Sequence, residues 1–298
     1  MKIISINRII IAVLIFLNTA FLFSCQKETS LNNSSTVNEE QAATYSDESA
    51  QADASFDDVT DLSMTAADED NTASIGRMER DYHPDFAELR AAIGLCATIT
   101  VSPNDSTYPK TITIDFGDSC VGLDGKLRSG KIVMHLTGPI RKPGSVLTTT
   151  FVNFYINHIH LEGTKIISNL SENGTIKFTV QVVGGRVTFP SGRGYSYECF
   201  KYKKQIAGMD TQIVRDDVFE ITGWAKVEFN NGVVIKLETV DPLIKKLACH
   251  WISDGTLKIN INDRLLKLDY GFPHNGECDN KALLTWNNGN SQRIILLP

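Results

Sequence analysis

Nowhere in its 298 residues does the chain hold a Gly-x-Ser-x-Gly, a His-Glu-x-x-His or a Cys-x-x-Cys. The first absence removes the turn that exposes a serine nucleophile, the second the helical zinc site of metalloproteases, and the third a redox or zinc pair. The regular Asp-x-Asp-x-Asp-Gly calcium loop is missing too, although Asp115, Asp118 and Asp124 could gather round an ion. Gly125-Lys126-Leu127-Arg128-Ser129-Gly130-Lys131 nearly spells a phosphate-binding loop, but Ile132 replaces the hydroxyl residue and a strand pattern follows, so this is a turn. No apolar helical pattern of useful length sits between the strand-like segments, which excludes parallel βαβ units. Strong basicity is also absent. The net charge is −6; residues 26–72 hold twelve carboxylates against Lys27 alone, and with Lys2 and Arg8 ahead of them the rest sums to only +3. That balance is too weak to argue for nucleic acid.

At the start, Lys2 and Arg8 precede an apolar run from Ile9 to Phe23, broken only by Asn18 and Thr19. This is the charged region and apolar region of a secretory signal peptide. A single membrane-spanning helix is the alternative. A cysteine at the boundary, a polar tail beginning at once and no Lys or Arg cluster beyond it favour cleavage. Leu22-Phe23-Ser24-Cys25 resembles the lipobox of bacterial lipoproteins, with Leu22 three residues and Ser24 one residue before the cysteine. The resemblance implies a signal peptide over residues 1–24, lipidation of Cys25, and a membrane partner reached through that anchor. Gln26-Lys27-Glu28 also looks like the short signals that send some lipoproteins to the outer face of the outer membrane. The cell surface and the periplasmic face both stay open.

Residues 25–75 read as lipid anchor and acidic tether. The segment is rich in Ser, Thr, Asn, Asp, Glu, Gln and Ala and has few aromatics. Alone it buries too little apolar area to offset the entropy of ordering, so it is expected to be disordered and extended. A marginal helix around Phe56 to Ala67 is compatible with the spacing of Phe56, Val59, Leu62 and Met64. A firmer one is expected over Asp85 to Ile93, where Pro84 precedes a stripe of Phe86, Leu89, Ala92 and Ile93.

From Cys96 onward the period changes to two. Strands are expected at 97–101, 111–116, 131–137, 146–156, 175–183, 186–189, 195–202, 218–221, 224–229, 233–240, 257–261, 265–270, 282–286 and 293–297. Turn signals separate them, among them Glu172-Asn173-Gly174, Gly184-Gly185 and Asn230-Asn231-Gly232. A parity change after Ile156 predicts a bulge or bend near Asn157-His158, and Pro242 predicts a turn or edge after Val240. Residues 76–298 are therefore expected to form an all-β, antiparallel, multi-hairpin sheet or sandwich of about 14 strands, preceded by a disordered tail and a short helix.

One frame occurs twice. Cys96 precedes Ile114-Asp115-Phe116-Gly117 and Cys120; Cys249 precedes Leu268-Asp269-Tyr270-Gly271 and Cys278. The frames suggest two related halves or local convergence on one hairpin type. With Cys25 removed five cysteines remain, and export favours pairing. The internal match selects Cys96–Cys120 and Cys249–Cys278, each contributing about 3 kcal/mol, and leaves Cys199 as a buried thiol. The frames read as staples of the sheet, with any ligand met elsewhere on the surface.

The remaining candidates carry bland readings beside sharper ones. His158, His160 and Glu162 alternate as metal ligands could, but a solvated polar face accounts for them. Lys201, Lys203 and Lys204 beside Tyr195, Tyr197 and Tyr202 form either a basic aromatic glycan surface or the charges that blunt an edge strand. Asp216-Asp217 could join a glycosidase pair only if the fold supplies a partner. No metal or other cofactor and no catalytic residue is expected. The cysteine frames, Asp216-Asp217-Val218-Phe219-Glu220-Ile221-Thr222-Gly223 and Pro242-Leu243-Ile244-Lys245-Lys246-Leu247 are similar to uncharacterised β-rich lipoproteins of Gram-negative envelopes. That resemblance implies no activity. The leading expectation is a lipid-anchored envelope protein serving as a non-enzymatic module that is structural or binds a glycan or protein; the rivals are a carbohydrate-active hydrolase and a carrier of lipid or apolar cargo.

Overall fold

The computed structural model describes residues 38–74, 82–211, 214–262, 264–274 and 276–297. Two helices, α1 (Glu39–Ser74) and α2 (Ala87–Ile93), precede the strands β1 (Thr98–Ser102), β2 (Lys110–Asp115), β3 (Cys120–Val121), β4 (Leu127–Leu136), β5 (Val146–Ile156), β6 (Ile159–Asn169) and β7 (Lys177–Thr188). Then come β8 (Gly194–Ala207), β9 (Val218–Phe229), β10 (Val234–Lys246), β11 (Asp254–Ile261), β12 (Arg264–Asp269), β13 (Lys281–Trp286) and β14 (Ser291–Leu296). All fourteen join one open antiparallel sheet. From β4 onward each strand pairs with the next, β2 pairs with β4, and β3 is a short addition beside β4. Among the described residues the strands form a single open sheet, not a sandwich.

A line of irregularities crosses the sheet. Register shifts fall at Gly130 in β4, between Thr150 and Phe154 in β5, at Gly163 in β6, and between Val182 and Gly185 in β7. The β9–β10 pairing breaks between Glu238 and Leu243. Backbones approach closely along this line: a Cβ on Gly130 would lie 1.9 Å from the Asn153 carbonyl oxygen, and one on Gly223 would lie 2.2 Å from that of Phe200. Only glycine fits such contacts, and bulges of this kind bend strands and increase their twist. Three expectations are corrected as a result. Gly184-Gly185 lies inside β7, not in a turn, and Pro242 lies inside β10, where a broken register tolerates a residue without an amide hydrogen. Asn157 and His158 (φ 48° and 67°) form the two-residue β5–β6 hairpin itself; the bulge lies upstream at Asn153 (φ 46°).

The largest correction concerns the tether. Residues 39–74 form one helix of 36 residues, about 54 Å long, packed against the sheet. Asn38 caps it reciprocally: its Oδ1 accepts from the Gln41 amide at 2.8 Å, and Gln41 Oε1 accepts from the Asn38 amide at 3.0 Å. Buried hydroxyls are satisfied inside the helix, as when Ser49 donates to the Tyr45 carbonyl at 2.8 Å and Thr60 to that of Phe56 at 3.1 Å. Ala52, Phe56, Val59, Ala66 and Ala67 belong to the same buried cluster as Ile132, Leu147, Tyr197 and Ile259. The disordered reading fails because small residues let the helix approach the strands closely, while distant cations neutralise its acids. The signal segment, Cys25 and the rest of the acidic segment up to Val37 lie outside the described residues. Helix α2 falls within the expected stretch, with Leu89 and Ile93 fully buried. Its first amides are capped by α1: Glu69 accepts from Glu88 N at 2.9 Å and Leu89 N at 3.0 Å.

Candidate functional site

Strand alternation decides which side chains meet α1. In β8 the inward positions are Tyr195, Tyr197, Cys199, Lys201, Lys203 and Gln205, all buried, while Tyr202 is half exposed on the other face. The strand lies between β7 and β9. Lys201 and Lys203 therefore neither blunt an edge nor coat an aromatic surface. They point at the helix, and only Lys204 faces out.

The helix carboxylates and the sheet cations match along the whole contact. Asp70 is bonded by Lys110 at 2.9 Å, both side chains being fully buried, and by the hydroxyls of Tyr82 and Tyr108. Asp58 and Asp124 share Arg128, at 2.9 and 2.6 Å, and Asp58 also takes Lys126 at 2.8 Å. Asp53 accepts from Tyr197 and, at 2.8 Å, from Lys201, which reaches Asp57 at 3.3 Å. Lys245 lies 2.9 Å from Asp61 and Lys203 3.9 Å from it. Arg141 grips Asp68 at 2.6 and 3.0 Å. Burial opposes the charges of Asp57 and Asp58, yet the lysines around Asp57, and Arg128 and Lys126 at Asp58, hold both carboxyls below the usual range.

At Lys165 burial outweighs the neighbouring charges. Its ammonium is buried and donates to the Phe56 carbonyl, and burial pulls it down to about 8 from an ordinary 10.5. The folded form thus sheds this proton first. Stability should rise as pH climbs from about 8 to about 10.5, and below 8 the buried charge costs its full amount. We expect Lys165→Met to raise unfolding free energy at pH 7 by about 2–3 kcal/mol and to flatten the rise above pH 8 in urea titrations. A variant no more stable than the parent at pH 7 contradicts this.

Between α1 and the sheet lies a cavity of about 480 Å³. Its floor is apolar, made by Ile167, Phe178, Val180, Phe219 and Ile221. Its wall carries Asp57, Asp61, Asp68, Arg141, Lys203, Asp217 and Lys245. Asp217 accepts from Gln205 Nε2 at 2.7 Å and lies 3.7 Å from Arg141; burial pushes it up to about 6, with Arg141 pulling the other way. Burial likewise raises Asp68 despite Arg141.

Both cysteine frames border this cavity. The structure joins Cys96 to Cys120 and Cys249 to Cys278, and leaves Cys199 as a buried free thiol that burial pushes up in pKa. Leu123, Asp124 and Lys126, just past the first bridge, and Leu247 to Ile252, which contains Cys249, line the cavity. The frames, expected to serve as staples only, thus also border the cavity. No sequence signal marks the cavity, since one wall is the acidic helix, whose burial depends on distant residues.

Other candidates are dispersed. Asp115 pairs with Lys131 at 2.7 Å, Asp118 is exposed and Asp124 is held by Arg128. His158 sits in the hairpin turn, while His160 stacks on Tyr155 with centroids 4.4 Å apart and lies 3.7 Å from Glu162. Asp216 accepts from Thr211 at 2.7 Å. Among the described residues no group of three or more His, Cys, Asp or Glu could hold a metal ion, and no helix is long and apolar enough to cross a membrane. The two disulfides fit an oxidising, extracytoplasmic environment. Comparisons of the chain with family models, with curated proteins and with solved structures found no match.

Proposed function

We propose that this is a lipid-anchored protein of the bacterial cell envelope, held to the outer membrane through Cys25, whose folded part is a non-enzymatic binding module. Its ligand is a small apolar or amphiphilic molecule seated between α1 and the sheet. One observation carries the ligand reading: the helix leaves about 480 Å³ of the concave contact unfilled, with an apolar floor and a charged wall. Ligand sites are typically concavities of this kind, mostly apolar with a few placed polar groups. The hydrolase reading is weaker on geometry. Asp68 and Asp217 share the cavity, but Arg141 contacts both, at 2.6 and 3.7 Å. A guanidinium thus fills the space that a glycosidic oxygen and a water would need.

Two experiments test the two parts. Cys25→Ser should move the protein from the membrane to the soluble fraction; a variant that still pellets with membranes removes the anchor. For the cavity, the full chain carrying Cys25→Ser should take up the neutral apolar dye N-phenyl-1-naphthylamine saturably. Val180→Trp, which places a large ring on the cavity floor, should abolish that uptake. No saturable uptake, or uptake indifferent to Val180→Trp, contradicts the binding reading.

A further inference from the structure

The three most exposed large apolar side chains among the described residues sit in two segments joined by one disulfide. Leu95 is 85% exposed, Leu123 76% and Val121 63%. Leu95 follows α2, Val121 ends β3, and Leu123 lies in the turn towards β4. The Cys96–Cys120 bridge ties the first segment to the second. The turn is also packed tightly against the end of α2. A Cβ on Gly122 would lie 2.8 Å from the Ala92 carbonyl oxygen, and one on Gly94 would lie 3.8 Å from Leu123 Cγ. A covalent tie and close backbone contact therefore hold hydrocarbon out in water. Clustered apolar side chains this exposed mark an interaction surface. The backbone beneath them is already bonded: Gly94 donates to the Arg90 carbonyl at 2.8 Å, Gly122 to that of Lys126 at 2.9 Å, and Asp124 to that of Ala92 at 3.1 Å. Those amides lose nothing on entering an apolar phase.

The patch is continuous with the mouth of the cavity, since Leu123 and the exposed Ala87 and Ala91 of α2 also line it. Its cations are engaged: Arg90 with the Ala97 carbonyl, Lys126 with Asp58, and Arg128 with Asp58 and Asp124. A partner is thus attracted by hydrocarbon and not by charge. Chain length points to the partner. Cys25 stands thirteen residues before Asn38, a reach of about 45 Å when extended. The patch lies beside Asp58, which Lys126 holds at 2.8 Å, about 30 Å along α1 from its start. An anchor at Cys25 therefore allows this patch to touch the bilayer that holds it. We propose that Leu95, Val121 and Leu123 form an apolar lip that docks into the surface of the anchoring lipid bilayer, turning the cavity mouth towards it. The docking rests on the anchor proposed above for its reach and does not require the cavity to be filled.

The test places the full chain on vesicles of neutral phosphatidylcholine, with or without bromine on the acyl chains, and reads tryptophan quenching. Leu95→Trp puts a reporter on the lip, and Tyr202→Trp puts one on the half-exposed outer face of β8. Brominated lipid should quench the fluorescence that Leu95→Trp adds to the parent and spare that of Tyr202→Trp. High salt should leave the quenching in place. Adding Val121→Asp and Leu123→Asp to Leu95→Trp should weaken docking about tenfold or more, read as loss of the quenching. Protein that stays on the vesicles with Leu95→Trp unquenched overturns the docking and leaves the anchor standing. Equal quenching of both reporters also overturns it. Protein that leaves the vesicles altogether removes the anchor and the docking together. A Leu95→Trp protein that instead self-associates in solution, and stays unquenched on vesicles, assigns the lip to a second copy and overturns the membrane reading.

Discussion

Replacing Asp58 with alanine should cost about 3–5 kcal/mol of folding stability. The carboxylate is the meeting point of Arg128, which is almost fully buried, and Lys126. Its removal leaves Arg128 with Asp124 alone, and Arg128 Nε already has no partner. A buried guanidinium that loses half its countercharge cannot recover it from water, so the penalty is set by desolvation, not by the modest net worth of an exposed pair. Asp58→Asn, which keeps the shape and one acceptor, should cost less. The pH dependence follows in sign. Asp57 and Asp58 are held below their ordinary 3.8 in the fold, so their contribution is complete above that value and is lost as pH falls through the folded pKa. Asp217, raised to about 6, works the other way: the folded form takes its proton first, and stability rises as pH falls from about 6 towards 4. Urea denaturation across pH should therefore show a local maximum on the mildly acid side, separate from the rise above about pH 8 due to Lys165, and a loss of stability as pH falls below 3.8. An Asp58→Ala cost under about 1 kcal/mol would mean that the helix is held by something other than its charges.

Phe56→Ala should be as damaging, about 3–5 kcal/mol, for an unrelated reason. Phe56 is 1% exposed in the middle of α1, stacked on Tyr197 with ring centroids 4.6 Å apart and edge-on to Phe151 at 6.3 Å. Truncation leaves a ring-sized hole between elements that cannot collapse independently, because the neighbouring Asp53 and Asp57 are tied to Lys201. Tyr202→Ala, on the half-exposed outer face of the same sheet, is the comparison and should cost under about 1 kcal/mol. Were residues 39–74 an unstructured tether, Phe56→Ala would be as harmless as any change in a solvated linker.

These two substitutions fall where sequence reading and structure diverge most. Strands announce themselves locally: β8 alternates, Asn230-Asn231-Gly232 turns, and the stripe of Phe86, Leu89 and Ile93 needs nothing distant to be seen. The cysteine frames are legible for the same reason. Helix α1 is not, because nothing near it explains its burial. Asp58 meets Arg128 seventy residues away, and Asp53 meets Lys201 across 148. The strong negative charge of the segment and the mild positive charge of the remainder were complementary halves of one interface, yet each looks ordinary alone. The cavity vanished with the helix that walls it.

Smaller divergences have equally local causes. Gly184-Gly185 carries the residue signature of a turn and Gly223 interrupts the alternation of β9, but Gly185 and Gly223 relieve backbone crowding within single strands, so the expected division of β7 and β9 into two strands each does not occur. Strand β6 went unrecognised because Gly163 and its polar neighbours interrupt its apolar alternation, and the short β3 escaped as well. The total of fourteen agrees because two divisions offset two omissions. In β8 the inward face holds lysines and the outward face holds Phe200 and Tyr202. Hydropathy alone does not place Lys201 and Lys203 inward beside Cys199, since it cannot see that an acidic helix covers that face.

The acidic segment between Glu39 and Ser74 is an integral, buried element of the fold and one wall of its cavity. Hydrogen–deuterium exchange on the full chain at neutral pH tests it most directly. Amides between Ala42 and Asp70 should exchange as slowly as those of β8 and should lose protection together with the sheet in denaturant. Exchange of that segment at unfolded-chain rates while β8 stays protected would contradict the account.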